Sequence, residues 1–270
     1  MRLKLRTAAL AGVLVASAAT AACDVNIGGG DFNIGIGSGR ATDVVTKSYT
    51  VPPHAKFEVV NTNGLVQVEQ GTGPAVEVRA ERTAKAASDE AAKEMLGKVE
   101  IVETKGPDGS MKLETKAPKS WGRGGVEIKY YVKVPEGILV SANTTNGGIR
   151  LLNLSNAVVA STVNGGVNGD GLAGSVEASS TNGGIDLSVV KVVEGGVKAE
   201  TVNGGISVSV PRDAKADISA HVVNGGLSVG DLSVDTVGEK SRRRLEGKLN
   251  GGGPRIDLGA VNGGVHLAGK

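Results

Sequence analysis

From about residue 140 the chain alternates apolar and polar positions, interrupts the alternation at Asn-Gly-Gly, and resumes it one residue out of phase. Six segments carry the pattern: TTNGGIRLL (144–152), TVNGGVNGD (162–170), STNGGIDLS (180–188), TVNGGISVS (201–209), VVNGGLSVG (222–230) and AVNGGVHLA (260–268). Six residues before each Asn stand Val140, Val158, Val176, Val197, Ile218 and Ile256. Four before stand Ala142, Ala160, Ala178, Ala199, Ala220 and Leu258. Three after come Ile149, Val167, Ile185, Ile206, Leu227 and Val265; five after come Leu151, Gly169, Leu187, Val208, Val229 and Leu267. Period-2 apolar columns predict strands with one face in a core. Asn and Gly tolerate positive φ, so Asn146, Asn164, Asn182, Asn203, Asn224 and Asn262 mark the turns. Asn63 fits the same frame, with Phe57, Val59, Val66 and Val68 in the four columns.

The Asn spacings are 18, 18, 21, 21 and 38 residues. Same-phase repeats with identical small residues in one column predict an all-β fold, a β-solenoid-like stack of 18–21-residue coils spaced about 4.8 Å. Antiparallel hairpins with Asn-Gly turns are the alternative architecture. The long last gap holds an insertion, about 233–255, whose Asn250-Gly251-Gly252 lacks the flanking apolar columns. Upstream, 43–80 alternates as strands. TAKAASDEAAKEMLGK (83–98) reads as one short helical insertion capped by Thr83 or Ser88. Further strands fall at about 98–104, 111–116 and 125–134. The repeat domain spans 43–270.

Composition changes the picture at the N-terminus. MRLKLR and a 16-residue apolar run of small residues form a signal peptide, 1–22, too short to favour a membrane span. Cys23, the only cysteine, follows directly; this ending resembles a bacterial lipoprotein signal, which implies lipidation of Cys23. The Gly-rich stretch to residue 42 then reads as a flexible tether from a lipid anchor. Loss of 1–22 removes Arg2, Lys4 and Arg6 and no acid, leaving 27 basic against 28 acidic residues, a net charge of −1. That balance argues against a nucleic-acid partner. Only two Phe, one Trp and three Tyr are present, so the core is thin and aliphatic.

YYVKVPEGILVSANTTNGGIRLL, the recurring T-x-N-G-G-[IV] and KLNGGGPRIDLGAVNGGVHL together resemble the bacterial envelope family called "putative adhesin", a domain of unknown function. The resemblance covers roughly 43–270. It implies an exported, solenoid-like all-β domain tethered to a membrane, with no catalytic residues to carry over and with some relatives linked to envelope stress.

Candidate chemistry is sparse. GLSVG (226–230) matches the Gly-x-Ser-x-Gly nucleophile pattern, with His221 nearby, but the repeat frame places Ser228 inside a strand, and hydrolases need a strand–turn–helix. The column four after each Asn reads Arg150, Asn168, Asp186, Ser207, Ser228 and His266 and faces solvent, with Asp186 and Arg150 two coils apart. His54, His221 and His266 are scattered, so no metal site and no cofactor is expected. Arg242, Arg243 and Arg244 form a basic cluster in the insertion, a candidate contact for anionic lipid or an acidic partner. Trp121, in a Gly-rich loop, is a candidate end cap or contact. These features predict a non-catalytic, exported, membrane-anchored envelope protein contacting proteins or glycans, with dimerisation through an exposed solenoid end left open. Envelope-stress regulation and β-helix polysaccharide cleavage are the alternatives.

Overall fold

The computed structural model describes residues 39–118, 124–237 and 241–270. The signal, Cys23, the tether up to residue 38 and Trp121 lie outside the described residues. Strands β1 (Gly39–Tyr49), β2 (Lys56–Asn63), β3 (Val66–Gln70) and β4 (Val76–Ala86) precede helix α1 (Asp89–Gly97); β5 (Glu100–Lys105), β6 (Met111–Lys116) and β7 (Gly125–Val134) follow it. Paired repeat strands come next: β8 (Leu139–Asn146) with β9 (Ile149–Leu152), β10 (Val158–Asn164) with β11 (Val167–Leu172), and β12 (Val176–Asn182) with β13 (Ile185–Val189). Then come β14 (Val197–Asn203) with β15 (Ile206–Val210) and β16 (Ala216–Asn224) with β17 (Leu227–Gly230). After β18 (Val234–Thr236) and β19 (Arg244–Leu249), a last pair follows, β20 (Arg255–Asn262) with β21 (Val265–Gly269).

Two sheets face each other across the aliphatic core. One runs β1-β4-β7-β3-β9-β11-β13-β15-β21-β17, the other β18-β19-β16-β20-β14-β12-β10-β8-β2-β6-β5. Neighbouring repeat strands are parallel and in phase: Ala160 pairs with Ala142 on one side and Ala178 on the other, and Asn164 with Asn146 and Asn182. Parallel pairing excludes the hairpin architecture and establishes the solenoid. Each coil contributes one strand to each sheet and crosses at Asn-Gly-Gly. The predicted inward columns are buried, except that Leu227 and Val229 of β17 are only partly so, at the edge of their sheet.

The corners show why the pattern is written this way. The ladder asparagines keep ordinary negative φ; among the described non-glycine residues only His54, Asn153, Asp231 and Asn250 are positive. Where the turn takes a positive φ, it falls on the glycine after the Asn, as at Gly64 with φ 119°. Closeness of the coils demands the first Gly. A Cβ at Gly147, Gly165, Gly183 or Gly204 would lie 1.9–2.1 Å from the carbonyl oxygen of the first Gly in the preceding coil. Each of these N–H groups instead donates to the Asn carbonyl of the next coil, as in Gly183 to Asn203 at 2.9 Å. The hydroxyl two residues before the Asn satisfies the Gly carbonyl: Thr162 donates to Gly147, Ser180 to Gly165 and Thr201 to Gly183, at 2.8–2.9 Å. The Asn amides form a ladder in which each Nδ2 donates to the Oδ1 of its neighbour at 2.8–3.0 Å.

That ladder also reveals the stack order. It runs 146, 164, 182, 203, 262, 224, so the β20–β21 coil is intercalated between coils that are consecutive in sequence. Stacking in chain order, the simplest expectation from the repeat, does not hold at this end. The reason lies in the insertion. Leu245, Gly247 and Leu249 of β19 are buried while Arg244, Glu246 and Lys248 are exposed, so the segment is an amphipathic strand. It pairs antiparallel with β16 and covers that strand's outer edge.

The opposite end is closed by β1, β4 and β7, by β6 and β5, and by α1, which buries Ala92, Met95 and Leu96. Ser88 is the N-cap, its Oγ accepting from Ala91 N–H, while Thr83 stays within β4. Gly39–Thr42, the last residues of the stretch read as tether, pair with Ala86–Thr83.

Candidate functional site

The outward columns of the first sheet form one continuous row. Register places Arg79, Tyr131, Gln67, Arg150, Asn168, Asp186, Ser207, His266 and Ser228 side by side on nine adjacent strands. Two residues further on, Leu152 pairs with Asp170 in the next row. Register shifts between Gly169 and Leu172, and this bulge in β11 hollows the surface. The result is a groove of about 310 Å³ lined by Arg150, Leu152, Asn168, Gly169, Asp170, Asp186 and Ser188.

Side-chain pairing along this face is uneven. Lys133 meets Glu69 at 3.5 Å, and Arg79, 5.6 Å from the Tyr131 ring centroid, meets Glu81 at 2.6 Å. Lys270 Nζ donates to Ser188 Oγ at 2.7 Å. Arg150, Asn168, Asp170 and Asp186 have no side-chain hydrogen bond or ion pair among the described residues, so their polar groups point at solvent uncompensated. The repeat period alone exposes the Arg150–Asn168–Asp186 column. Gln67, four after Asn63, extends the repeat column, whereas Tyr131 escapes sequence reasoning because β7 lies outside the repeat and reaches the row through parallel pairing with β3.

The second sheet carries another groove, of about 350 Å³, lined by Ser161, Ser179, Glu200, His221, Gly259 and their neighbours. Gly259 makes room for the imidazole of His221, whose Cε1 lies 2.7 Å from where a Cβ at 259 would be. Glu200 is already engaged: Lys198 binds Glu177 at 3.2 Å and Glu200 at 3.3 Å, and both carboxylates hold its ammonium above the ordinary lysine value. Beside this row stand Val202, Val261 and Val223 on adjacent strands, 42%, 39% and 51% exposed.

Ser228 does find an imidazole, and it is that of His266 at 2.8 Å from Oγ to Nδ1, brought there by the intercalated coil; His221 lies on the other sheet. GLSVG is largely strand β17, without the strand–turn–helix frame of a nucleophile elbow. No carboxylate hydrogen-bonds to His266 among the described residues, so no group orients it as a general base. Arg242 and Arg243 are exposed beside the Asn224 corner, their carbonyls accepting from Leu227 and Val222 N–H at 2.9 and 2.8 Å. Arg244 pairs with Glu246 at 2.6 Å. Among the described residues no group of three or more His, Cys, Asp or Glu could hold a metal, and no helix is long and apolar enough to cross a membrane.

A family model described as Toastrack DUF4097 matches residues 50–268. No curated protein matches the chain. Among solved structures, a "putative cell adhesion protein" of Clostridium sporogenes aligns at 12% identity over 87% of this chain and 100% of its own, TM-score 0.45. A "putative adhesin" of Bacteroides fragilis aligns at 12% identity over 83% and 96%, TM-score 0.33. A "putative lipid binding protein" of Parabacteroides distasonis aligns at 10% identity over 84% and 97%, TM-score 0.21. With each score below 0.5, the architecture rests on the strand pairing and the family match.

Proposed function

Since the chain belongs to the Toastrack DUF4097 family, we propose that it is a non-catalytic cell-envelope protein, anchored by lipid on Cys23, whose parallel stack presents a rigid surface for adhesion to envelope glycans or proteins. The observation that carries this reading is the pairing at the corners. Backbone N–H groups, Thr or Ser hydroxyls and Asn amides are bonded from coil to coil, so the outward columns keep fixed spacing over many strands. A surface held this way gives up little conformational entropy when it binds. The isolated Ser228–His266 pair supports display over catalysis, because it lacks an orienting acid and an enclosed site.

Two measurements test the reading. Intact mass and membrane partition are compared for the native protein and Cys23→Ser. An acyl-sized mass increment and a membrane pellet, both lost in the variant, are expected; a soluble native protein of simple cleaved mass removes the anchor. Retention of the soluble variant on purified envelope material tests the display, and a chain that flows through removes it.

A further inference from the structure

We propose that Asn224 is a self-modification site, converted by water to aspartate and isoaspartate through a succinimide ring closed with Gly225. Asn-Gly is the step at which this ring closes most readily, because glycine puts no side chain beside the attacking nitrogen. The chain holds nine such steps, and the fold treats one of them differently. At six corners the glycine N–H after the Asn donates to the Asn carbonyl of the next coil at 2.8–3.0 Å, as Gly204 does to Asn262 and Gly263 to Asn224. The stack ends at Asn224, and the Gly225 N–H donates to no group among the described residues. The segment of Arg242 and Arg243 covers only the flanks of this corner, accepting from Leu227 and Val222. Gly225 is exposed, whereas the first glycines of the other six corners are half-buried or buried.

The side chain is freer as well. Asn164, Asn182, Asn203 and Asn262 each donate through Nδ2 and accept at Oδ1, while Asn224 only donates, to Asn262 at 2.9 Å. The two Asn-Gly steps outside the ladder are held in other ways. Asn250 ties its amide to the Arg212 and Ala214 carbonyls, both at 2.8 Å. Gly169, after Asn168, is buried within β11 between β9 and β13. In the reaction the Gly225 nitrogen loses its proton and bonds to Asn224 Cγ. The bond from Cγ to the amide nitrogen breaks, and ammonia leaves carrying that proton. Water then opens the ring, at the side-chain carbonyl to give aspartate or at the backbone carbonyl to give isoaspartate. Aspartate sets a carboxylate oxygen against Asn262 Oδ1, where an amide donated before. Isoaspartate adds a methylene to the main chain where Asn224 lies in register with Asn262. Either product loosens the last corner and leaves the bonds of the corners behind it in place.

The test incubates the purified native chain in mildly alkaline buffer, folded and in urea. Each Asn-Gly peptide is followed by mass spectrometry, with an isoaspartate-specific methyl label. In the folded chain Asn224 is expected to convert roughly tenfold or more faster than any other Asn-Gly, since the others must first break hydrogen bonds that this corner lacks. In urea the nine steps should convert at similar rates. Asn224→Gln keeps an amide on an arm too long for the five-membered ring, and should abolish conversion at 224 while the other sites stay slow. The comparison of folded with urea-unfolded protein uses the unaltered chain, so it stands whatever that variant does to folding. Equal rates at the folded corners, earlier conversion at Asn250 or Asn168, or a preference for Asn224 that persists in urea overturns the proposal.

Discussion

Gly183 shows how a single residue type is imposed by neighbours rather than by its own dihedral angles. A Cβ there would stand 1.9 Å from Gly165 O, a backbone atom fixed by the stack. Gly226, second in its pair at the far end of the stack, has nothing within 4 Å of a built Cβ. Gly183→Ala should therefore cost about 2–3 kcal/mol as an overpacking change, and Gly226→Ala well under 1 kcal/mol. Urea denaturation of the two variants checks this, and equal midpoints would refute the close-approach account. The sequence made the position of these glycines plain, since they recur in phase with the apolar columns. The full cause was not legible, because Asn-Gly reads locally as a turn, and only the distance to the preceding coil shows that Gly183, which has no positive φ, is required for steric room. The Thr or Ser before each x-Asn-Gly-Gly has the same character: its partner is a carbonyl 15 or 18 residues earlier.

Among elements, those defined by local patterning are the ones the sequence makes legible. The six-residue strand β6 and ten-residue β7 match their alternating segments, and α1 begins at its Ser88 cap. The intercalated coil is different. Asn203 and Asn224 are 21 residues apart, as are Asn182 and Asn203, so nothing nearby distinguishes a coil that stacks on its predecessor from one that leaves a gap. The choice depends on β19 reserving the edge of β16, a long-range pairing. A consequence follows for truncation. Removing residues 253–270 from an ordinary solenoid would trim its end, but here it removes the partner of β14 and β16 in one sheet and of β15 and β17 in the other. The shortened chain should expose paired edges and buried aliphatic faces and so self-associate or lose its cooperative transition. Size-exclusion chromatography and denaturant unfolding test it; a monomer with the full-length midpoint would show that the Asn224 coil restacks on the Asn203 coil without penalty.

At the scale of the molecule the two ends differ in kind. Phe57, Tyr49, Tyr130 and Tyr131 all lie before the first Asn-Gly-Gly pair, and the coils beyond are filled with Val, Ala, Leu and Ile. The column of Gln67, Arg150, Asn168 and Asp186 follows the repeat frame and was legible, while Tyr131 was not, because β7 lies outside the repeat. This asymmetry carries a pH prediction. Tyr130 is fully buried, its hydroxyl 2.8 Å from Thr115 Oγ1, and burial raises its pKa. Tyr49 is buried against Phe57, with ring centroids 6.1 Å apart, and burial first, then the negative charge of Glu103, raises its pKa as well. Unfolded tyrosine ionises near pH 10. Below that value both phenols are neutral in folded and unfolded chains, and their full contribution to stability is present. Above it the unfolded chain releases protons that the folded one retains, so stability falls by up to about 1.4 kcal/mol per pH unit for each of the two groups until the folded pKa is reached. Absorbance at 295 nm, followed with far-ultraviolet circular dichroism, should show two tyrosyl equivalents ionising in the same alkaline transition that removes the β signal. Their ionisation in an intact sheet would mean that water reaches the closed end of the stack, and that the aromatic cap does not seal the aliphatic coils behind it.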